Sequence, residues 1–465
     1  MTPGELTLPP STLSVASSTP AEPTETSPGT TPTSPEPSGS RPWLPHLGIA
    51  TTSLDQRGGL DQMVTAGAYW ARPDALLWSE VEPSRGLRNW GALSDLEQEL
   101  RDASRQGMEV ILIVHSTPAW AQHVAGSYCG PIRPDALEDF AAFMRDLVAR
   151  YSAAPFNVKY WELWNEPDVD PALVGPRSVF GCWGDMGDAY YGGGHYAEML
   201  KAVYPQIKAA DPQAKVLVGG LMLDCSPEQP PEGQTCVASR FLEGVLEAEG
   251  GRYFDGVSFH AYDFYLGEIG MHANANWHSA WNTSGPALIA KARYLTSLMA
   301  SYGVTEKFLM STETALLCGR SGKEQPCQTE AFENSKAYYV AQVASASAAE
   351  GLKAVVWYSL HGWRASGLVD RNLEPLPAYD AYQFASTALR DAVSQGQITA
   401  FAGVNGYAFE RGEGRLWVLW SLHGETHLIT LPSEPAAVYD VYGDPLEPSA
   451  NLEVSLGPIY IEWEQ

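Results

Sequence analysis

VKYWELWNEP, residues 158–167, reads as a buried strand that ends in a carboxylate. Valine, tyrosine, two tryptophans and leucine form a short apolar run of strand-forming residues. Asn165, Glu166 and Pro167 then stop it, because proline cannot extend a central strand. Glu166 is therefore expected at the strand's C-terminal lip. Beside tryptophans it is poorly solvated, and poor solvation raises a carboxyl pKa, which suits a proton donor. A lone glutamate at such a place more often only opens a loop, so the rest of the chain has to support the sharper reading.

Outward from this stretch, short apolar runs and amphipathic segments alternate. Strands are expected at 47–50, 69–72, 110–115, 158–166, 215–219, 254–262, 308–313 and 354–360. Helices are expected after each, at about 58–65, 93–105, 135–151, 196–209, 239–247, 284–303, 329–349 and 378–389. The third helix carries a capping-box pattern, Asp135 with Glu138. The sixth begins at Ser284 with Pro286 in its first turn and stops at Gly303. The third strand is nearly continuous Val, Ile and Leu, as in a strand covered on both faces. Eight strand–helix units in series imply an α/β fold, a parallel (β/α)8 barrel. An open doubly wound sheet is the alternative, but no Gly-rich phosphate loop follows the first strand.

Past Gln395 the helical pattern ends. Short strands at 398–400, 406–410, 416–421, 427–431, 437–441 and 459–463, separated by Gly, Pro, Asn and Asp, read as a small antiparallel β-sandwich. Residues 1–41 are rich in Pro, Ser, Thr and Glu and should be a disordered stalk or linker. The expected organisation is a linker over 1–41, a barrel over 42–392 and a sandwich over 393–465.

The 465-residue chain carries 29 Lys and Arg against 55 Asp and Glu, a formal charge of −26. So acidic a surface argues against nucleic acid and anionic membrane as partners. No apolar stretch is long enough for a membrane span. Fifteen tryptophans and 22 tyrosines suit sugar rings as well as cores. The six cysteines, Cys129, Cys182, Cys225, Cys236, Cys318 and Cys327, leave several pairings open. Spacing favours Cys225–Cys236 and Cys318–Cys327 as short-loop bridges, leaving Cys129–Cys182. No His/Cys cluster suggests zinc, and no cofactor motif is visible. Disulfides imply an oxidising compartment, so a secreted or cell-surface protein is expected. The chain as written starts with neither a basic segment nor an apolar h-region, and removal of a leader is expected. Asn282-Thr283-Ser284 is a glycosylation sequon, meaningful only in a eukaryotic secretory route.

Barrel enzymes place reacting groups at the C-terminal ends of strands. Those ends supply Arg72, His115, Asn165, Glu166, His260, Tyr262, Glu313 and Trp357. Alternation puts Ser258, His260 and Tyr262 on one strand face, and Leu309, Ser311 and Glu313 likewise on another. Taken singly, the histidines, Tyr262 and Trp357 are each acceptable core residues. Their joint placement at strand ends carries the reading of a site. Glu166 and Glu313 across one pocket are what glycosidic cleavage needs: one carboxyl protonated, the other ionised.

The segments WNEP (Trp164–Pro167), HAY (His260–Tyr262) and STE (Ser311–Glu313) resemble clan A of the glycoside hydrolases. The resemblance implies a retaining (β/α)8 enzyme that needs no metal or cofactor. It implies Glu166 as acid/base and Glu313 as nucleophile. It further implies Asn165 at the sugar 2-hydroxyl, Tyr262 bonded to the nucleophile, Trp357 beneath the sugar, and Arg72 and His115 at strands two and three. With the C-terminal sandwich, the chain looks most like family 39, whose members include β-xylosidases. Family 5-like endoglycanases share the two-glutamate logic. The implied activity is a secreted exo-acting β-glycosidase on plant-type oligo- or polysaccharide. The alternatives are an endo-acting glycanase and a non-catalytic sugar-binding barrel.

Overall fold

A computed structural model describes residues 46–169, 174–175, 178, 180–265, 277–281, 285–319 and 327–464. The stalk and the sequon lie outside the described residues. Eight parallel strands form the central sheet: β1 (Leu47–Ala50), β2 (Trp70–Arg72), β3 (Glu109–His115), β4 (Tyr160–Asn165), β5 (Lys215–Leu221), β6 (Gly256–Tyr265), β7 (Phe308–Cys318) and β8 (Ala354–Trp357). They pair in sequence order, β8 pairs with β1, and the sheet closes as a barrel. Helices α1 (Leu60–Thr65), α2 (Ser94–Arg105), α3 (Leu137–Tyr151), α4 (Gly193–Ala210), α5 (Phe241–Glu247), α6 (Ala287–Ser301), α7 (Glu330–Ala349) and α8 (Pro377–Ala388) follow the strands in turn.

The strands are hydrophobic on both faces because both are covered. Ala50, Trp70, Ile111, Tyr160, Leu217, Met310, Ala354 and Val356 form a cluster inside the barrel. The alternate residues, among them Ile49, Ala71, Leu112, Trp161, Val218, Val257 and Trp357, join the core shared with the helices. The inner cluster fills the lower barrel, and polar residues gather toward the C-terminal ends, where they can form a site.

Eight strands follow the barrel: β9 (Val393–Gln397), β10 (Val404–Arg411), β11 (Gly414–Ser421), β12 (His427–Thr430), β13 (Ala437–Tyr439), β14 (Pro445–Leu446), β15 (Asn451–Val454) and β16 (Ile459–Trp463). Six form one antiparallel sheet in the order β9-β10-β11-β16-β13-β14, and β12 pairs with β15. Tyr407, Phe409, Val418 and Tyr460 on the six-stranded sheet belong to the same core as the barrel helices. Gln342 of α7 also donates to Leu456 O at 3.4 Å. This explains why α7 is buried on nearly every side.

Several local expectations are corrected. The expected strand at 398–400 is not formed; the chain pairs instead at 393–397, where Val393 faces Glu410 in register. Asp135 makes no capping box, because its carboxylate accepts from the Arg133 guanidinium at 2.5 Å, and α3 starts at Leu137 after a 3-10 turn. Helix α6 starts at Ala287, with Pro286 as the residue before it rather than in its first turn. Three disulfides form, Cys129–Cys182, Cys225–Cys236 and Cys318–Cys327. Among the described residues no helix is long and apolar enough to cross a membrane.

Candidate active site

Three departures from regular strand geometry aim the polar side chains inward. Alternation from Tyr160 and Glu162 would point Trp164 into the barrel. Instead Trp164 adopts a left-handed φ of 73° and packs outward, its indole N–H donating to Cys129 O at 2.8 Å. Asn165 is thereby turned inward. The close approach needs Gly219, where a Cβ would lie 2.3 Å from Leu163 O and 2.4 Å from Trp164 O. On β7, Leu309 belongs to the outer core and Met310 to the inner cluster. Strict alternation would therefore turn Glu313 outward with Leu309 and Ser311. An extra residue in β7 prevents this: Phe259 faces Ser311, but His260 faces Glu313. The same shift recurs against β8, where Val355 faces Ser311 and Trp357 faces Thr314. Such a bulge re-aims a side chain, and it sits at the strand's site-facing half.

Arg72 is the hub. Its Nε and Nη2 donate to Glu162 at 3.0 and 3.2 Å, its Nη1 to Glu313 Oε1 at 2.6 Å, and its Nη2 also to Asn165 Oδ1 at 2.7 Å. The guanidinium is buried, yet its two carboxylate partners hold it charged. Glu162 is fully buried. Burial works against its charge, but Arg72 and the Gly220 N–H at 2.8 Å outweigh that and keep its carboxyl below the ordinary range. The Tyr262 hydroxyl donates to Glu313 Oε2.

Glu166 stands differently. It follows β4 with a left-handed φ of 50° and is buried, and burial pushes its carboxyl up to about 7 against the pull of Arg72 and Lys291. His260 Nδ1 lies 2.7 Å from Glu166 Oε1 and 3.5 Å from Glu313 Oε2. Burial lowers the imidazole to about 4, so it meets Glu166 as an uncharged ring at pH 7. Oxygens of Glu166 and Glu313 lie within 4.8 Å of each other. That suits carboxyl groups about 5 Å apart, one attacking and one donating a proton. It is too close for the roughly 6.5–9.5 Å that admits a water between them. The same three side chains could in principle bridge a metal ion. Arg72 already supplies the positive charge at Glu313, however, and His260 already occupies Glu166, so the donor set suits an acid/nucleophile pair better.

A cavity of about 300 Å³ opens beside the pair, lined by Thr51, Arg72, Asp74, His115, Asn165, Glu313 and Tyr358 among others. His115 is buried and lowered to about 4 by that burial. Its Nε2 is buried and has no hydrogen-bond partner among the described residues.

A family model described as cellulase, glycosyl hydrolase family 5, matches residues 75–282, from the loop after β2 to beyond β6. Among solved structures the chain resembles a family 39 glycoside hydrolase from the gut symbiont Bacteroides cellulosilyticus WH2. Identity is 18% over 90% of this chain and 80% of that one, with a TM-score of 0.66. A monomeric β-xylosidase from Caulobacter crescentus CB15 gives 15% identity over 91% and 97%, TM-score 0.58. A family 30 subfamily 8 xylanase from Clostridium acetobutylicum gives 13% over 90% and 96%, TM-score 0.58. No match to a curated protein sequence was found. The chain is a glycoside hydrolase whose residues 75–282 match a family of clan A. Enzymes of this clan are retaining.

The hydrolase brings together seven of the eight residues singled out from its sequence. Trp357 is the exception and is corrected here. It faces the helices, packs edge-on against Tyr339, and donates its indole N–H to Ser366 O at 2.9 Å. Parity explains this: Ala354 and Val356 point inward, so the next inward aromatic is Tyr358. Tyr358 lines the cavity, lies 6.2 Å from Tyr262 ring to ring, and precedes a cis peptide bond to Ser359. Sequence reasoning also missed Glu162, although a charged residue inside an otherwise apolar strand was a signal. It missed Gly219-Gly220 as well, a glycine pair in a strand that marks close approach of neighbours. Lys291 was a third omission. It is buried on α6 and lowered to about 8 by burial, and it donates to His260 O at 2.7 Å and Met222 O at 2.6 Å, tying β6 to the site.

Proposed function

We propose that the enzyme is a secreted, exo-acting β-xylosidase-like hydrolase that trims terminal sugars from plant-type oligo- or polysaccharide. Glu313 is the nucleophile and Glu166 the acid/base. Glu313 attacks the anomeric carbon while Glu166 gives its proton to the departing glycosidic oxygen. Glu166, now ionised, takes a proton from water, whose oxygen displaces Glu313 and restores both carboxyls. Asn165 has its Oδ1 on Arg72 and keeps its amide N–H groups for the sugar 2-hydroxyl. Tyr262 and Arg72 hold Glu313 in place, and His115 lines the cavity. Catalysis belongs to the barrel, about residues 42–392. The sandwich, 393–465, supports α7.

The observation that carries this reading is the unequal pair of carboxyls within 4.8 Å, one buried and pushed up to about 7 by that burial, the other bonded to Arg72. Three disulfides and a structural neighbour called a conserved exported protein, from Bacteroides fragilis, favour secretion. The compact cavity and the β-xylosidase neighbour favour release of single terminal sugars.

The test is product analysis on xylan and on a panel of chromogenic β-glycosides, with Glu313→Gln and Glu166→Ala alongside. Release of xylose from chain ends is expected; immediate mid-chain fragmentation would replace the exo reading with an endo one. Glu313→Gln should abolish nearly all turnover in a folded protein. Glu166→Ala should lose most with poor leaving groups and regain rate with azide, because the nucleophile survives. Unchanged rates in either variant would overturn the assignment.

A further inference from the structure

Trp363 is the one exposed Phe, Tyr or Trp side chain among the described residues, at 46% of its full accessibility. An indole left in water on a protein that buries nearly all its other aromatics calls for an occupant. It does not hang on a loose loop. Gly362 and Gly367 approach so closely that a Cβ on Gly362 would lie 2.1 Å from Gly367 N. The Ser366 hydroxyl accepts from Trp363 N at 3.0 Å and donates to Tyr358 O at 2.7 Å. The fully buried Lys336 ammonium donates to Ala365 O at 3.1 Å and Gly367 O at 2.7 Å. Trp357 holds Ser366 O, and Cys318 N donates to Arg364 O at 2.8 Å, next to the Cys318–Cys327 disulfide.

The indole's position matters as much as its rigidity. Its ring centre is 6.3 Å from that of Tyr262, whose hydroxyl bonds Glu313. The Arg364 guanidinium sits 5.3 Å from the indole centre and 5.0 Å from that of Phe264 on β6, bracing it from the side. The 300 Å³ cavity is lined by the ends of β1, β2 and β3 together with Tyr358. Trp363 instead leans toward β6. It is not among the residues that line the cavity.

We infer that Trp363 is a stacking platform for a second sugar ring of a β-linked saccharide, the ring on the leaving-group side of the bond being cut. The apolar C–H face of a pyranose covers an indole face. A platform fixed before the ligand arrives avoids the cost of ordering a loop. This inference rests on the cavity holding the sugar that becomes attached to Glu313. It implies that substrates with a carbohydrate leaving group gain affinity that aryl glycosides do not.

The experiment compares wild type, Trp363→Ala and Trp363→Phe on an aryl β-xyloside and on xylotriose, cellotriose and mannotriose, using the trisaccharide that wild type cleaves fastest. The ratio of kcat/KM for trisaccharide to that for aryl glycoside should fall about tenfold in Trp363→Ala and largely recover in Trp363→Phe. Calorimetric binding of the same trisaccharide to Glu313→Gln should weaken about tenfold when Trp363→Ala is added. An unchanged ratio, an equal loss on both substrates, or no trisaccharide turnover by wild type would overturn the platform. The ratio is read in the active enzyme and does not depend on which carboxylate is the nucleophile. Failure of the Glu313 assignment would show instead as turnover retained by Glu313→Gln.

Discussion

Gly220→Ala tests the site's construction more sharply than removal of a catalytic group, because it adds one methyl and deletes nothing. Gly220 lies on β5 with its N–H on Glu162 and its carbonyl accepting from Glu166 N at 3.0 Å. Its backbone is not left-handed, so alanine suffers no conformational penalty and the effect is purely steric. The new Cβ would fall 2.1 Å from His260 Nε2 and 2.8 Å from Glu162 Oε1, where ordinary contact begins at 3.4 Å. The imidazole must retreat by roughly 1.3 Å. It is fully buried, and its other nitrogen is already 2.7 Å from Glu166, so the displacement passes to the acid/base. Overpacking of this kind costs about 1–3 kcal/mol of stability. Misplacing a reacting group by about 1 Å costs on the order of 100-fold in rate. The loss should be larger for glycosides with poor leaving groups, which depend on the proton from Glu166. The assay is kcat/KM across aryl glycosides of graded leaving-group pKa, with urea unfolding to establish the folded fraction. A folded Gly220→Ala enzyme within about threefold of wild type on every substrate would refute the proposal that the glycine makes room for the His260–Glu166 contact.

Three further outcomes are expected. The acid/base must carry its proton to act, and burial sets its carboxyl at about 7, so kcat/KM should fall as pH rises through about 7; a profile flat to pH 9 would contradict this. His46, whose Nε2 lies 3.0 Å from Ala344 O, is lowered by burial from 6.5 to about 4. The folded state then binds fewer protons than the unfolded one between those values, so this group's contribution is present above pH 6.5 and lost as pH falls toward 4. His46→Gln should lose less stability than wild type between pH 7 and 4.5, by up to about 3 kcal/mol in urea unfolding. Cys129–Cys182 spans a separation of 53 residues, and Cys129 O accepts from the Trp164 indole. The Cys129→Ser, Cys182→Ser double variant should lose about 2–4 kcal/mol and show reduced kcat, checked by unfolding and by turnover at a temperature where it remains folded.

How far the fold could be read in advance follows from which interactions are local. The order of strands and helices was legible because each buried strand is a run of Val, Ile, Leu and aromatics, and because chain reversals carry Gly, Pro or Asn. At the expected start of α7 the Thr329 hydroxyl accepts from Phe332 N at 3.2 Å and caps the helix. Glu166 was legible because Pro167 marks the strand's end. The direction in which side chains face was not, and the reason is common to all the misses. Alternation holds along β8 as far as Trp357, so the aromatic named from its position at the strand's end points away from the cavity and Tyr358 takes the place. Alternation fails at Trp164 and again at the β7 bulge, and those failures turn Asn165 and Glu313 toward Arg72. A left-handed tryptophan and an extra strand residue each lower the intrinsic stability of the local backbone. They persist because Arg72 on β2, Glu162 on β4 itself and the Gly219-Gly220 gap on β5 fit the side chains those distortions deliver. What decides the site is therefore a fit between residues nearly 250 positions apart in sequence, as between Arg72 and Glu313, separated by 241. Local pattern names the candidate residues; the non-local ion pairs select which of them meet.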